Sequence, residues 1–263
     1  MRIPWNASGM LLFLLLVVAV AAPLLARYDP LEMDKKLVLA RPSWTHPMGT
    51  DQFGRDILSR LTYGTRIALL IGVGATLAAA AIGIPLGLWA GLGGKWADSA
   101  IMRGVDTLLA IPPVLLAMAL VAILGPGSWN AGVAVAAVGM PQFARIARAG
   151  ALTEKEREYT EAAVALGANW TRVAFRAILP NILSPIAVQV PIAVSRAIIL
   201  EASLSFLGLG TQPPNPSWGL MVNESRSYMY RAPSYGIFPG VLIALTVLSL
   251  NNMSDLVRKL WRI

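Results

Sequence analysis

Catalytic chemistry needs a nucleophile with a base, a metal, or paired carboxylates, and this sequence offers few such groups. His46 is the single histidine and falls in a polar stretch, residues 28–65. A lone histidine there supplies neither a Ser–His pair within the membrane nor a multi-histidine metal site. Asp106 and Glu201 lie within apolar stretches, each near an end, which disfavours a carboxylate pair that shares a proton. We expect no catalytic residue and no metal site.

ATP hydrolysis would need a phosphate-binding loop of the pattern G-x-x-x-x-G-K-S/T between a strand and a helix. The nearest segment is GLGGKW at 91–96, where Trp96 replaces the magnesium-binding hydroxyl and Trp89 replaces the first glycine. The sequence has no cysteine, which excludes thiolate catalysis, disulfides and cysteine-ligated metals. Any ATP that serves this protein must be hydrolysed by another polypeptide, so we expect this chain not to be an enzyme.

The elements that position these few polar groups are strongly apolar. Of the 263 residues, 56% are hydrophobic and 14% are charged, outside the usual range for soluble domains. A membrane-spanning helix needs about 20 mostly apolar residues, so the membrane is the expected solvent. The net charge of +8 arises from 22 Lys and Arg spread along the chain, and we do not expect nucleic acid as a partner.

Apolar stretches predict an all-α, polytopic membrane protein with six transmembrane helices. The predicted spans are residues 10–26, 66–92, 104–125, 130–150, 182–206 and 236–256. The first has an alternative interpretation as a cleaved signal peptide, since Arg2 precedes it and small residues lie near its end. The chain then divides into an N-terminal helix and loop (1–65), a core of spans (66–257) and a short tail (258–263).

The bias of Lys and Arg toward cytoplasmic loops orients these spans. The cations of one side include Lys95, Arg103, several in the 143–181 segment, Arg258, Lys259 and Arg262. With that side as the cytoplasm, both termini are cytoplasmic, and residues 28–65 and 207–235 lie outside. The 28–65 loop also carries cations, so charge supports this orientation only in part.

Glycine and proline recur in the predicted spans, with Pro112 and Pro113 in the third. Helices in lipid associate through close van der Waals contact between small residues, because the hydrophobic effect does not draw them together. We therefore interpret these residues mainly as packing positions, with a kinked hinge as the alternative.

The segment EKEREYTEAAVALGANWTRVAFRAILPN, residues 154–181, has the features of a docking element. Tyr159, Ala162, Ala163 and Leu166 recur at helical spacing and give one narrow apolar face, while many of the other positions are charged. Such a pattern predicts a short, water-exposed helix.

The end of this helix is also encoded locally. Gly167 suits a left-handed helix terminus, Asn169 suits the cap of the next helix, and Pro180 stands where the chain re-enters the membrane. The pattern predicts helix, sharp turn, helix. From the pattern alone, docking into the groove of a soluble partner and lying on the lipid surface are equally good interpretations.

A family resemblance separates these interpretations. EAAVALG at 161–167 followed by ILP at 178–180 resembles the EAA signature of ABC importer permeases, with Ala177 where isoleucine is frequent. Two further segments, HPMGTDQFGRDILSRLTYGTRIAL at 46–69 and EASLSFLGLGTQPPNPSWG at 201–219, are similar to signatures of the second permease subunit of dipeptide, oligopeptide and nickel importers. The tail DLVRKLWRI at 255–263 departs from that family.

The resemblance implies a type I ABC importer permease fold in the inner membrane, working by alternating access. It implies a heterodimer with a related permease, two cytoplasmic ATP-binding subunits that hold ATP and magnesium, and an extracytoplasmic solute-binding protein. This chain would carry no cofactor, and the solute would be a peptide or nickel. The EAA loop, residues 151–181, would be the ATPase-coupling element. Its expected coupling residues are Tyr159, Glu161, Ala162, Ala163, Leu166, Gly167 and Trp170.

Two ionisable residues near the outer end of the fifth span form a separate hypothesis. We expect Arg196 and Glu201 to line the outer vestibule or to pair with the partner permease, because charged groups avoid lipid. The alternative is simple snorkelling to the membrane interface. For the whole chain, the rival function is an ion-coupled carrier or channel, which would require an embedded carboxylate or histidine relay.

Overall fold

The computed structural model describes the backbone of residues 5–260 and the side chains of residues 7–260, so Arg2 and Arg262 lie outside the described residues. Within 5–260 the chain is helical, with an isolated bridge between Thr50 and Asp56 and no β-strand. The helices are α1 (Trp5–Val20), α2 (Ala22–Leu25), α3 (Ile57–Leu92), α4 (Gly94–Ala110), α5 (Pro113–Leu124), α6 (Ser128–Lys155), α7 (Glu158–Ala165), α8 (Trp170–Arg172), a π-helical turn (Val173–Ile178), α9 (Leu179–Phe206), α10 (Trp218–Ser225) and α11 (Ser234–Leu260), with short 3-10 helices at Lys35–Leu37 and Arg226–Tyr228.

Three helical runs of the described chain are long and apolar enough to cross a membrane: α3, the continuous run Trp170–Phe206, and α11. A fourth is present if α4 and α5 count together, and the apolar part of α1, Ala7–Val20, is shorter. The all-α prediction is confirmed, whereas the count of six spans stays a prediction. Helix α3 begins at Ile57, so the proposed division at residue 65 falls inside a helix.

The predicted third span, 104–125, is not one straight helix. Helices α4 and α5 are bent by 98° relative to each other. Between them, Ile111 and Pro112 have extended backbone angles, and Pro113 begins α5. A proline disfavours helical geometry in the residue before it and lacks an N–H to donate, so two successive prolines end α4. The kink that was the alternative interpretation of the prolines is therefore present between α4 and α5.

Helices α3 and α6 pack through a row of small residues. A Cβ atom added to Gly83 would lie 2.9 Å from Cβ of Phe143, and one added to Gly91 would lie 2.7 Å from Cβ of Ala151. A Cβ atom added to Gly87, midway between them, would lie 2.8 Å from Cβ of Ala147. Glycines four residues apart share one helix face, so the two backbones approach closely along this seam. The packing interpretation is correct for these glycines.

The chain reversals gather at two ends of the bundle. At one end, called the outer end after the sequence-based orientation, Arg60 at the start of α3 donates to the carbonyl oxygen of Pro214 at 3.3 Å. The turn before α6 lies beside them, since Ser128 Oγ and Thr211 Oγ1 are 2.9 Å apart. The 28–56 loop, the α5–α6 turn and the 207–217 loop therefore meet on one side.

The opposite, inner end holds the α3–α4 turn and the α6–α9 connection. Arg148 of α6 forms an ion pair with Asp98 of α4. Near the two described termini, Asn252 Nδ2 of α11 donates to Ser8 Oγ of α1 at 3.1 Å. This contact brings the beginning of α1 beside the final third of α11.

Candidate functional site

The α6–α9 connection folds as its sequence predicts. Helix α7 follows the end of α6 after two residues, and the Asn169 side chain accepts a hydrogen bond from the backbone N–H of Arg172 at 2.8 Å, which caps the next helix. Asn, Asp, Ser and Thr are the preferred residues at such caps because their side chains satisfy an otherwise free N–H. The predicted order of helix, sharp turn and helix is present.

Gly167 ends α7 in a left-handed conformation with φ of +83°. The Ala168 N–H bonds the Ala163 carbonyl at 3.0 Å and the Gly167 N–H bonds the Val164 carbonyl at 2.9 Å. These two bonds define a Schellman motif, which glycine favours because it lacks a Cβ atom. An added Cβ on Gly167 would meet no atom within 4 Å, so the requirement for glycine comes from the backbone angle alone.

The base of α7 is fixed to its neighbours by hydrogen bonds. Thr160 is fully buried, and its Oγ1 donates to the Glu154 carbonyl at 2.7 Å. The Tyr159 hydroxyl donates to Glu154 Oε2 at 2.5 Å and accepts from Asn181 Nδ2 at 3.1 Å. Desolvation and the hydrogen bond to the Glu154 carboxylate raise the pKa of the Tyr159 phenol. Tyr159 therefore links the end of α6 to the start of α9.

The apolar face predicted for α7 is divided in the structure. Ala163 turns toward the bundle and packs against the buried cluster that includes Val173 and Ile178. Tyr159 and Ala162 are exposed, and Leu166 at the tip is 89% exposed. Glu161 and Trp170 are also exposed, and Nζ of Lys155 lies 5.5 Å from the centre of the Trp170 ring. The helix thus presents an open apolar tip on a fixed base.

A cavity of about 290 Å³ lies between helices α3, α4, α5, α6 and α9. Its wall is mainly apolar, with Ala79, Phe143 and Leu200 among the lining residues. The polar side chains that line it are Thr76, Gln142, Gln189, Arg196 and Ser203. Small residues on α3 and α9 leave this volume open beside the bent α4 and α5 pair.

The two residues predicted near an outer vestibule lie in different environments. Arg196 is exposed and lines the cavity, whereas Glu201 is 1% exposed and is not among the lining residues. Glu201 Oε1 accepts a hydrogen bond from Ser205 Oγ at 2.7 Å, and Ser205 Oγ in turn accepts from the Thr211 N–H at 3.0 Å. Glu201 therefore connects α9 to the outer loop, and Arg196 faces open space.

A second set of functional candidates, which the sequence patterns did not indicate, is a charge cluster at the outer end. We call it the outer charge cluster; its members are Asp51, Arg55, Arg60, Glu224 and Tyr235. Arg55 Nε donates to Asp51 Oδ2 at 2.5 Å, and Arg60 Nη2 lies 3.2 Å from Glu224 Oε2. The Tyr235 hydroxyl donates to the same Glu224 oxygen at 2.5 Å.

Beside the outer charge cluster, two segments that resemble family motifs contact each other, through Arg60 with Pro214 and through Trp218 with Leu61. The first, residues 46–69, contributes both arginines, and the second, residues 201–219, packs beside it through Trp218. Trp218 is fully buried, and its Nε1 donates to the Leu61 carbonyl at 3.3 Å. Gly64 makes room for the ring, since an added Cβ there would lie 2.9 Å from Trp218 Cδ1.

Gln142 and Gln189 are two further candidate site residues that the sequence patterns did not indicate. Each is a half-buried amide inside a predicted apolar span, and that polarity is the signal that could have identified them. In the part of the chain that the structure describes, neither side chain has a hydrogen-bond partner. Their polar groups are therefore available to the cavity that they line.

Comparison with known proteins assigns this arrangement to a family. The sequence profile for "Binding-protein-dependent transport system inner membrane component" matches residues 83–262. A di/tripeptide transport system permease protein, DppC of Pseudomonas aeruginosa, is 45% identical over 258 residues, which cover 95% of this chain and 85% of the relative. The chain belongs to this family of inner-membrane transport components.

Further relatives agree with this membership. The glutathione transport system permease protein GsiD of Pectobacterium atrosepticum is 46% identical over 250 residues, covering 95% of this chain and 83% of the relative. A chain of the MetNI methionine ABC transporter, solved in an inward-facing conformation, superposes with a TM-score of 0.64 at 19% identity. That match covers 77% of this chain and 97% of the MetNI chain, and it supports the fold alone.

Membership assigns the chain a role as a multi-pass permease component of an ABC importer in the inner membrane. The relatives are named as permease proteins, which indicates a non-enzymatic component. The family evidence favours this function over an ion-coupled carrier or channel.

Proposed function

We propose that this chain forms one half of the translocation pathway of a peptide importer and works with a related permease as a heterodimer. The observation that carries the solute class is the identity of 45% to a di/tripeptide permease over 95% of this chain. Relatives named for dipeptide and glutathione transport extend the same class. Peptide is therefore proposed ahead of nickel as the solute.

The proposed topology has six crossings with both termini in the cytoplasm. Supporting it, the reversals alternate between the outer and inner ends as the chain passes through α1, α3, the α4–α5 pair, α6, α9 and α11. The contact between Ser8 and Asn252 brings the start of α1 near the inner part of α11. In this proposal the bent α4–α5 pair counts as one crossing.

The α6–α9 connection is proposed to be the ATPase-coupling element. Its open tip, with Ala162 and Leu166, would seat in a groove of a cytoplasmic ATP-binding subunit, and two such subunits would hold the ATP and magnesium. The hydrogen bonds of Tyr159 and Thr160 to Glu154 support this role, because a lever must not bend at its base. Movement of α7 would then be passed to α6 and α9 together.

The cavity between α3, α5, α6 and α9 is proposed as this chain's share of the solute pathway. Four of its five polar side chains stand on α6 and α9, the helices that connect directly to the coupling element, and the fifth, Thr76, stands on α3. ATP binding would close the ATPases and open the pair of permeases outward, so that an extracytoplasmic binding protein delivers its solute. Hydrolysis would reset the inward-open state. Such a cycle needs contacts that differ in energy between the two states.

The proposal is tested by reconstituting the complete transporter in liposomes: this chain, the related permease, two ATP-binding subunits and the binding protein. Uptake of radiolabelled dialanine and of nickel is measured with and without ATP on the side of the membrane that carries the ATP-binding subunits. ATP-dependent dialanine uptake that requires the binding protein is the expected result. Uptake of nickel alone, or dialanine uptake that persists without ATP, contradicts the proposal.

A further inference from the structure

Arg196 has an unusual position for a cation. It is the sole basic residue between Leu179 and Phe206, the bounds of α9, and it lies about 15 Å from the outer end of that helix at a rise of 1.5 Å per residue. Counted from the outer end of the predicted span, residues 182–206, that depth is well inside a hydrocarbon core about 30 Å thick, and it is deeper than the outer vestibule expected from the sequence. A charge at this depth is costly in lipid, and such residues generally face a cavity or a partner.

The structure shows where Arg196 faces. Its side chain is exposed and lines the cavity of about 290 Å³. Among the described residues it has no ion pair and no side-chain hydrogen bond, in contrast to Arg145 and Arg148 of α6, which are paired with Asp106 and Asp98. The nearby acid of the same helix, Glu201, is buried on the bundle side, where its Oε1 accepts a hydrogen bond from Ser205. Arg196 is therefore an uncompensated cation in an apolar chamber.

The other polar groups of the chamber limit what the ligand can be. Gln142 and Gln189 line the same cavity, and their amides form no hydrogen bond with another described side chain. The hydroxyls of Thr76 and Ser203 instead donate to carbonyls of their own helices, those of Gly72 and Ile199. An arginine matches a carboxylate by geometry and charge. An amide side chain matches the N–H and C=O groups of a peptide bond, since it offers both donors and an acceptor.

We propose that Arg196 binds the terminal carboxylate of the peptide as it passes through the membrane, with Gln142 and Gln189 contacting its peptide bond. This inference rests on the proposed function as a peptide permease and adds a selecting group within the membrane chain itself. The apolar wall allows side chains of different kinds to pass, while the carboxylate is a feature that every unmodified peptide shares. The site therefore selects for a free carboxyl terminus and not for sequence.

The test compares dialanine with its C-terminal amide in liposomes that contain the complete transporter. Uptake of each compound is divided by the fraction of binding protein that it occupies, measured separately by calorimetry, so that the preference of the binding protein is removed. Because a charge-assisted hydrogen bond is worth roughly a tenfold effect or more, the wild type is expected to favour dialanine by about tenfold. Arg196→Gln should bring this ratio near one, and Arg196→Lys should keep most of it.

The matched control is Arg231→Gln, which removes an exposed arginine of the outer loop away from the cavity and should leave the ratio unchanged. A wild-type ratio in Arg196→Gln overturns the inference, as does the absence of any preference in the wild type. Loss of heterodimer yield in Arg196→Gln, with the ratio retained in the complexes that form, would assign Arg196 to the partner permease instead. Absence of ATP-dependent peptide uptake in the wild type would refute the proposed function itself, and the two failures are therefore distinct.

Discussion

Arg60 and Glu224 are 164 positions apart in the sequence, yet Arg60 Nη2 lies 3.2 Å from Glu224 Oε2. The Arg60 side chain is fully buried, and Glu224 also accepts from Tyr235. This pair joins the first turn of α3 to α10 and, through Tyr235, to the beginning of α11. One charge cluster therefore links the outer ends of three helices.

Breaking the outer charge cluster should destabilise the protein strongly. In Arg60→Met, Glu224 loses its nearest cation, and Asp51 keeps only Arg55. Removal of one partner of a buried ion pair costs about 3–5 kcal/mol, because the other charge is left without compensation. The free energy of unfolding, measured by denaturant titration in detergent micelles, should fall by about that amount.

A double variant and a surface control make this prediction specific. Arg60→Met with Glu224→Gln should lose less than the sum of the two single losses, since the two residues interact directly. Arg41→Met removes an exposed arginine from the same loop and should change the free energy of unfolding by less than about 0.5 kcal/mol. Additive losses in the double variant would show that the pair does not act as a unit.

Gly167 should be the most sensitive single position of the coupling element. Gly167→Val forces a β-branched residue into a backbone with φ of +83°, which is strained whatever space surrounds it. The turn should then open and redirect α8, so that ATPase stimulation by loaded binding protein and peptide uptake fall together. The comparison is made in reconstituted liposomes at equal yield of complex.

Gly167→Asn is the matched control for that change. Asparagine tolerates left-handed angles better than other non-glycine residues, and there is open space around the site. Most of the coupling should therefore survive. Equal coupling in the valine and asparagine variants would mean that the left-handed turn is not what positions the tip of α7.

The proposed topology can be read from cysteine labelling, because the chain has no native cysteine. Ser227 is exposed at the outer end and Thr153 is exposed at the inner end. Ser217 also lies in the outer loop, but it is fully buried, so a cysteine there would not react with the reagent. A membrane-impermeant maleimide should label Ser227→Cys in intact spheroplasts and Thr153→Cys only after permeabilisation. The opposite labelling pattern would show that the protein has the reverse orientation, with the coupling element outside.

The two ion pairs between α4 and α6 should contribute unequally. Arg148 contacts both carboxylate oxygens of Asp98, with Nη2 2.6 Å from Oδ2, and each side chain is about a third exposed or less. The Arg145 and Asp106 side chains form a single contact and are more than half exposed. An arginine that contacts both oxygens of a carboxylate in a less exposed position stabilises a protein more than a single-contact ion pair exposed to water. Asp98→Asn should therefore lower the melting temperature more than Asp106→Asn, and equal effects would contradict this ranking.

The sequence by itself determined the features that depend on neighbouring residues. Helix α7, the left-handed end at Gly167 and the cap at Asn169 are decided by backbone angles and side-chain hydrogen bonds within a few residues, so their pattern predicted them correctly. The apolar composition likewise indicated a helical membrane protein, because backbone groups in lipid must bond within their own segment. The family motifs indicated the class of transporter.

Tertiary structure decided which face of each helix is covered. The sequence grouped Arg196 and Glu201 as one vestibule, but five helical residues correspond to a rotation of about 140°. One side chain therefore faces the cavity and the other faces the bundle. In the same way Ala163 turned inward while Leu166 stayed open, because α7 is fixed through Tyr159 and Thr160 to its neighbours.

The bend and the outer charge cluster also required the whole fold. Pro112 and Pro113 permit a kink, but how far α4 and α5 turn, 98°, depends on what each helix packs against. Arg60 and Glu224 form an ion pair only when α3 and α10 lie side by side. No pattern of neighbouring residues predicts a contact between positions so far apart in the sequence. Contacts between residues far apart in sequence form only when the chain has closed the loops between them, and closure depends on the packing of every helix in the bundle.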